Sequence, residues 1–157
     1  MKNRTLDKEK IISKLDELDS YLEELNEIKI DDFNEYIGSI EKKRASERLL
    51  QVSIEVVIDV CNIIVSNLKL GIPYDEDMLF KKLKEKDIIS EKMKDILRNL
   101  KGFRNVLVHK YGEVDNERVF ENIEKLQDFD DFKEEILTFL KKYKAKIITK
   151  SSFVLIN

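Results

Sequence analysis

The residues with the clearest chemical potential lie in one short stretch, FRNVLVHKYG, which runs from Phe103 to Gly112. This stretch contains the only histidine of the chain, His109, and it places Arg104 in the middle of an apolar run. A histidine exchanges a proton near neutral pH, and an arginine binds anions through a planar fork of donors. Acid–base chemistry beside a bound anion is one interpretation, and a salt bridge at the end of a core helix is the other.

Helical spacing places Arg104 on the apolar side of its helix. At about 100° per residue, one side collects the apolar residues Met93, Ile96, Leu97, Leu100, Phe103 and Leu107. Arg104 and Tyr111 fall within this stripe, and His109 falls on roughly the opposite side. Because a buried charge is costly without a partner, we expect Arg104 to meet an acid such as Glu55 or Asp59, or to face a groove that admits an anionic ligand.

Glu55 and Asp59 belong to a line of polar residues on the predicted central helix. The line comprises Arg44, Arg48, Gln51, Glu55, Asp59, Asn62 and Ser66. Its steps of three and four residues have helical period, so the line follows one narrow side of the helix. A solvent-facing strip and a polar seam that lines a groove explain this pattern equally well.

Composition narrows the classes of protein that the chain can be. The 157 residues suffice for one domain with its own core. The net charge of −3, with charged residues at 39%, excludes a broad basic face for nucleic acid and leaves only a local groove. The single cysteine, Cys61, excludes an internal disulfide, and no Cys/His spacing predicts a metal site.

The remaining global features predict a soluble, cytoplasmic protein. No N-terminal stretch has the pattern of a signal peptide. The longest apolar run, residues 54–65, is interrupted by Glu55, Asp59 and Asn62, so we expect no membrane span.

Apolar periodicity predicts about five helices and an all-α fold. The predicted helices cover residues 6–28, 32–70 with a bend near Gly38, 75–86, 90–112, and a last long segment that opens with EVDNERVFENIEKL. Pro73 marks the clearest break, Ser90 is a plausible N-cap, and Gly112 is a natural terminator. The division is a helical domain over residues 1–146 and a tail over residues 147–157, whose composition is strand-like.

These residues resemble the HepT-like proteins of the HEPN superfamily, helical ribonuclease toxins that are paired with MNT nucleotidyltransferase antitoxins. RNVLVHKY matches their Arg-x4-His-x-Tyr motif, with Asn105 directly after the arginine and Tyr111 two residues after the histidine. The likeness extends over roughly residues 6–140, and ERLLQVSIEVVIDVCNIIVS is similar to the family's central helix. In one departure, Ile63 stands where some relatives carry a histidine.

The resemblance implies an up-and-down helical bundle that forms a symmetric homodimer, and an endoribonuclease that needs neither metal nor cofactor. It implies that Arg104 holds the scissile phosphate, that Asn105 orients or donates to it, and that two His109 residues meet across the dimer cleft. RNA cleavage through the 2′-hydroxyl requires a base and an acid, which the two histidines would supply.

For Tyr111, the resemblance implies a role as acceptor of AMP groups from an MNT-type nucleotidyltransferase antitoxin. Glu55 and Asp59 are expected to pair with Arg104 or with a partner chain rather than to act as acids or bases. Two other functions stay open: a non-catalytic helical dimer that serves a nucleotidyltransferase as scaffold or substrate, and a plain helical interaction module.

Overall fold

A computed structural model describes residues 5–28, 30–108 and 115–156 of the chain. Within these residues the secondary structure is entirely helical, which confirms the predicted all-α fold. Seven helices follow one another in the described ranges: α1 (Lys8–Ile28), α2 (Phe33–Gly38), α3 (Ile40–Asn67), α4 (Glu76–Glu85), α5 (Glu91–Val108), α6 (Asn116–Glu124) and α7 (Gln127–Ile156).

Helix α3 is the centre of the bundle, and α1, α2, α4, α5 and α6 all pack against it. Its buried apolar residues extend from Leu50 to Val65 on several sides of the helix. In length and composition α3 could cross a membrane, and it is the one such helix among the described residues. However, 56% of its most apolar window is buried inside the protein, as expected of a core helix.

Helices α1 to α6 each begin at a polar residue whose side-chain oxygen accepts a backbone N–H three residues later. Asp75 caps α4 in this way and Ser90 caps α5, so both predicted starts are confirmed. Ser39 adds a cap inside the predicted 32–70 helix and begins α3 there, which leaves α2 as a separate short helix. The predicted last helix is also divided, because α6 ends near Lys125 before α7 begins.

Helix α7 adds an apolar stripe to the core through Phe129, Phe132, Ile136 and Leu140, all at most 3% exposed. An ion pair between Lys133 and Asp19 also joins α7 to α1. The helix continues to Ile156, so the strand-like composition after residue 146 does not give a strand. The division of the chain at residue 147 stays a prediction.

Candidate functional site at the end of helix α5

Helix α5 positions the motif by its fixed start and its buried stripe. At the start, the Ser90 hydroxyl accepts the Met93 N–H at 3.0 Å, and the backbone N–H of Ser90 donates to Glu135 of α7 at 2.6 Å. Along the helix, the predicted apolar side is confirmed: Met93, Leu97, Leu100 and Phe103 are buried, and Ile96 and Leu107 are partly buried. The last turn, which carries Arg104 and Asn105, is therefore fixed against the core.

Arg104 is held on two sides. Its side chain is 18% exposed, and its Nη2 donates to Oε1 of Glu76 in the first turn of α4 at 2.5 Å. Its Nε donates to Oδ1 of Asn105 at 3.0 Å. The prediction that Arg104 lies within the apolar stripe and needs an anionic partner is thus confirmed, and the partner is Glu76.

The expected pairing of Arg104 with Glu55 or Asp59 inside the chain is wrong. Glu55 accepts a hydrogen bond from Gln51 at 3.0 Å, one turn away on α3 itself. Asp59 faces α1 and accepts a hydrogen bond from Lys14 at 3.3 Å. Asp59 therefore faces α1, Glu55 is bonded within α3, and the acid that meets Arg104 is Glu76 instead. A contact of Glu55 and Asp59 with a partner chain stays a prediction.

His109 and Tyr111 lie outside the described residues, as does Gly112. His109 follows directly on Val108, the last residue of α5, whose side chain is 45% exposed. The part of the site that the structure describes is accordingly the Arg104–Asn105 pair and its surroundings.

A second ion-pair cluster lies one turn before Arg104. Asp77 of α4 accepts a hydrogen bond from Lys101 at 2.8 Å and lies 3.5 Å from Nε of Arg98. The hydrogen bond from Lys101, reinforced by both positive charges, holds the pKa of Asp77 below its ordinary value. On the other side of α5, the Arg118 guanidinium lies 5.7 Å from the centre of the buried Phe103 ring, within the range of a cation–π contact.

Glu76 is the site residue that the sequence analysis missed. The signal was present, since YDED places two acids in the first turn of a predicted helix. Arg98, Lys101 and Arg104 follow one another at intervals of three on the next helix, and such a basic line predicts an acidic partner surface. Only the packing of α4 on α5 determines which acid meets which cation.

Arg104 retains binding capacity after these contacts. A guanidinium has five N–H donors, and the contacts with Glu76 and Asn105 occupy two of them. The other three donors meet no acceptor among the residues that the structure describes, and they can bind an anion such as a phosphate group. In the described part of the chain, no three His, Cys, Asp or Glu side chains gather as metal ligands would.

The chain is similar in sequence to known ribonucleases. The sequence matches the ribonuclease HepT-like family over residues 11–136. It is 31% identical over 110 residues to the tRNA nuclease HepT of Aphanizomenon flos-aquae, which covers 70% of this chain and 75% of that protein. It is also 33% identical over 84 residues to the mRNA nuclease HepT of Shewanella oneidensis, covering 53% of this chain and 63% of that protein.

Solved structures share the fold. The tri-AMPylated HEPN toxin of Shewanella oneidensis, in complex with its MNT antitoxin, superposes with a TM-score of 0.75 at 24% identity, covering 88% of this chain and 99% of that one. The cytosolic protein YutE of Bacillus subtilis gives 0.75 at 23% identity, with 88% and 93% covered. A chain of the toxin–antitoxin pair MntA-HpeT gives 0.73 at 26% identity, with 82% and 97% covered. These likenesses confirm the HEPN-like bundle.

Proposed function

The chain belongs to the ribonuclease HepT-like family, and from that membership we propose that it is the toxin of a toxin–antitoxin pair in the cytoplasm, a metal-independent endoribonuclease with Arg104, Asn105 and His109 as its catalytic residues. The observation that carries the assignment of the site is the state of Arg104. Its guanidinium is held by Glu76 and Asn105 five residues before His109, and among the described residues three of its donors meet no acceptor and can bind a phosphate.

Arg104 binds the scissile phosphate in this proposal. The charge on the phosphate oxygens increases as the 2′-oxygen attacks phosphorus, and a guanidinium held beforehand in the right orientation stabilises that charge. Asn105 accepts from Arg104 through Oδ1, so its amide N–H₂ group is left to donate to a phosphate oxygen. Because attack requires the 2′-hydroxyl, DNA is not a substrate.

His109 supplies the proton transfers, and a homodimer supplies the second histidine. One histidine removes the proton of the 2′-hydroxyl, and the other protonates the 5′-oxygen that leaves. The end of α5 is suited to an isologous contact because it presents the exposed apolar Val108 next to the polar Arg104–Asn105 pair. A two-fold axis at this point brings both His109 residues to one cleft.

Tyr111 is the regulatory position of the proposal. An MNT-type nucleotidyltransferase antitoxin transfers AMP from ATP to Tyr111. The phenol oxygen loses its proton and attacks the α-phosphorus, the bond from the α-phosphorus to pyrophosphate breaks, pyrophosphate leaves, and a phosphodiester remains on the tyrosine. Such a phosphodiester near Arg104 competes with the RNA phosphate for the free guanidinium donors, so modification stops cleavage. The similar HEPN toxin of Shewanella oneidensis is tri-AMPylated in the complex with its MNT antitoxin, which supports AMP addition as the modification.

Cleavage of total RNA in the presence of EDTA tests the proposal. Wild type and His109→Ala are compared at equal concentration, with matched far-UV circular dichroism and matched dimer content by size-exclusion chromatography. We expect wild type to cut RNA and His109→Ala to leave it intact.

Two results contradict the proposal. Cutting by both proteins removes His109 from the mechanism, since a folded variant without the histidine would still cleave. Cutting by neither protein removes the ribonuclease activity, and the scaffold or substrate of a nucleotidyltransferase becomes the function to test, with Tyr111→Phe as the variant that loses AMP acceptance.

A further inference from the structure

The first turn of α4 lies against the basic side of α5 at two adjacent positions. Glu76 contacts Arg104, and Asp77 contacts Lys101 and Arg98. The two acids are neighbours on the same helix turn and have the same charge, but only Glu76 reaches the motif. Substitutions of the two acids can therefore distinguish an effect on Arg104 from a general loss of the attachment of α4 to α5.

Glu76 holds Arg104 from one end only. Oε1 of Glu76 accepts from Nη2 of Arg104, while Oε2 of Glu76 is buried and accepts no hydrogen bond from the described residues. With Asn105 on Nε, the guanidinium is fixed at two of its three nitrogens. Nη1 and one hydrogen of Nη2 meet no acceptor within residues 5–28, 30–108 and 115–156, so the contact with Glu76 orients the guanidinium without covering it.

We propose that Glu76 is a positioning residue for the RNA cleavage reaction: it orients the Arg104 guanidinium toward the scissile phosphate. The inference rests on the proposed function, because it assigns Glu76 a part in that same reaction. A long arginine side chain that is already ordered does not have to be ordered again in the transition state, and a small displacement of a catalytic group lowers the rate strongly.

The proposal separates catalysis from binding. Glu76 carries a negative charge next to the guanidinium, so it weakens rather than strengthens the attraction of Arg104 for RNA. Loss of Glu76 should therefore lower kcat while KM stays the same or decreases. If Glu76 had only a structural role, its loss would loosen α4. Substitution of any acid that attaches this turn to α5 would then reduce activity to a similar extent.

The experiment measures kcat and KM on a defined RNA oligonucleotide for wild type, Glu76→Ala and Glu76→Gln, with Asp77→Asn as matched control. We expect Glu76→Ala to lower kcat about 10-fold without raising KM. Glu76→Gln keeps an oxygen that accepts from Nη2, so its kcat should stay within about 3-fold of wild type. Asp77→Asn removes the same charge from the same turn and should keep the wild-type kcat.

Three results overturn the inference. A wild-type kcat in Glu76→Ala means that Arg104 does not need the contact. A higher kcat in that variant means that Glu76 competes with the phosphate for Arg104. An equal loss in Glu76→Ala and Asp77→Asn reduces both contacts to attachment of α4.

A readout without RNA keeps this inference distinct from the proposed function. If wild type cleaves no RNA, the proposed function fails, but the orientation of Arg104 can still be followed by the ¹⁵Nε–¹Hε signal of its side chain. We expect a resolved, slowly exchanging signal in wild type and Asp77→Asn, and an exchange-broadened or averaged signal in Glu76→Ala. An unchanged signal in Glu76→Ala means that Glu76 does not order Arg104.

Discussion

The ion pair between Glu76 and Arg104 should be measurable as a coupling free energy. The perturbation is a double-mutant cycle of Glu76→Ala, Arg104→Ala and the double variant, with the free energy of unfolding as the measured quantity. Both side chains are largely covered, at 30% and 18% exposed. Each single variant therefore leaves the other charge partly buried without its partner. The double variant leaves no unpaired charge, so its loss of stability should be smaller than the sum of the two single losses.

The magnitude follows from exposure. Exposed ion pairs contribute about 0–1 kcal/mol, whereas a hydrogen bond to a charged group contributes about 1.5–3 kcal/mol. Because solvent still reaches both groups, we expect a coupling energy of about 1–2 kcal/mol, between these two ranges. Arg104→Ala alone should cost about 2 kcal/mol, because it leaves Glu76 partly buried without its cation, and the second oxygen of Glu76 has no hydrogen bond among the described residues.

Urea unfolding at one fixed protein concentration is the assay, because the proposed dimer would make stability depend on protein concentration. The control cycle uses Lys81 and Glu85, an exposed pair at 3.9 Å with side chains 67% and 56% exposed. That pair should couple by less than about 0.5 kcal/mol. An equally small coupling for Glu76 and Arg104 would refute the conclusion that this contact fixes the arginine.

Three further predictions concern the helix start, the acid limit and the core. Ser90→Ala removes the cap of α5 and its tie to Glu135, so urea unfolding should show a loss of about 1 kcal/mol. The hydrogen bond from Lys101 holds the folded-state pKa of Asp77 below its ordinary value. The stabilisation from this ionised carboxylate is therefore present above the unfolded-state pKa and is lost as the pH falls through the folded-state pKa. Asp77→Asn should accordingly make the free energy of unfolding depend less on pH in this acidic range. The Tyr36 hydroxyl is buried and forms no hydrogen bond with any residue that the structure describes, and burial raises its pKa to about 12. Tyr36→Phe should therefore leave the melting temperature unchanged or raise it.

The helix starts and the buried side of α5 could be predicted from the sequence, because each depends on residues close together in the chain. Ser90 and Asp75 could be identified as helix starts because a capping residue acts on the turn that follows it. The side of α5 that carries Phe103 and Arg104 could be predicted because burial follows helical period. The sequence predicts a bend near Gly38 but not the full break that separates α2 from α3, since apolar periodicity continues across Ser39 even though the backbone is extended there.

The partner of Arg104 could not be predicted, because it depends on how helices pack. Glu55, Asp59 and Glu76 are all acids within reach of some arrangement of the bundle. The observed arrangement turns Asp59 toward Lys14 of α1 and places the first turn of α4 beside α5. Helical period gives the side of a helix on which a charge lies, but it does not give the neighbour that this side meets.

The most direct test of the ribonuclease site uses an RNA oligonucleotide that wild type cuts and the same sequence with a single 2′-deoxy nucleotide on the 5′ side of the cut. Both reactions contain EDTA, and the product ends are identified by mass. We predict cutting of the all-RNA strand to a product that ends in a 2′,3′-cyclic phosphate, and no cutting at the 2′-deoxy position. Cleavage at the 2′-deoxy position, or loss of all cleavage in EDTA, would contradict the metal-independent reaction through the 2′-hydroxyl at Arg104 and His109.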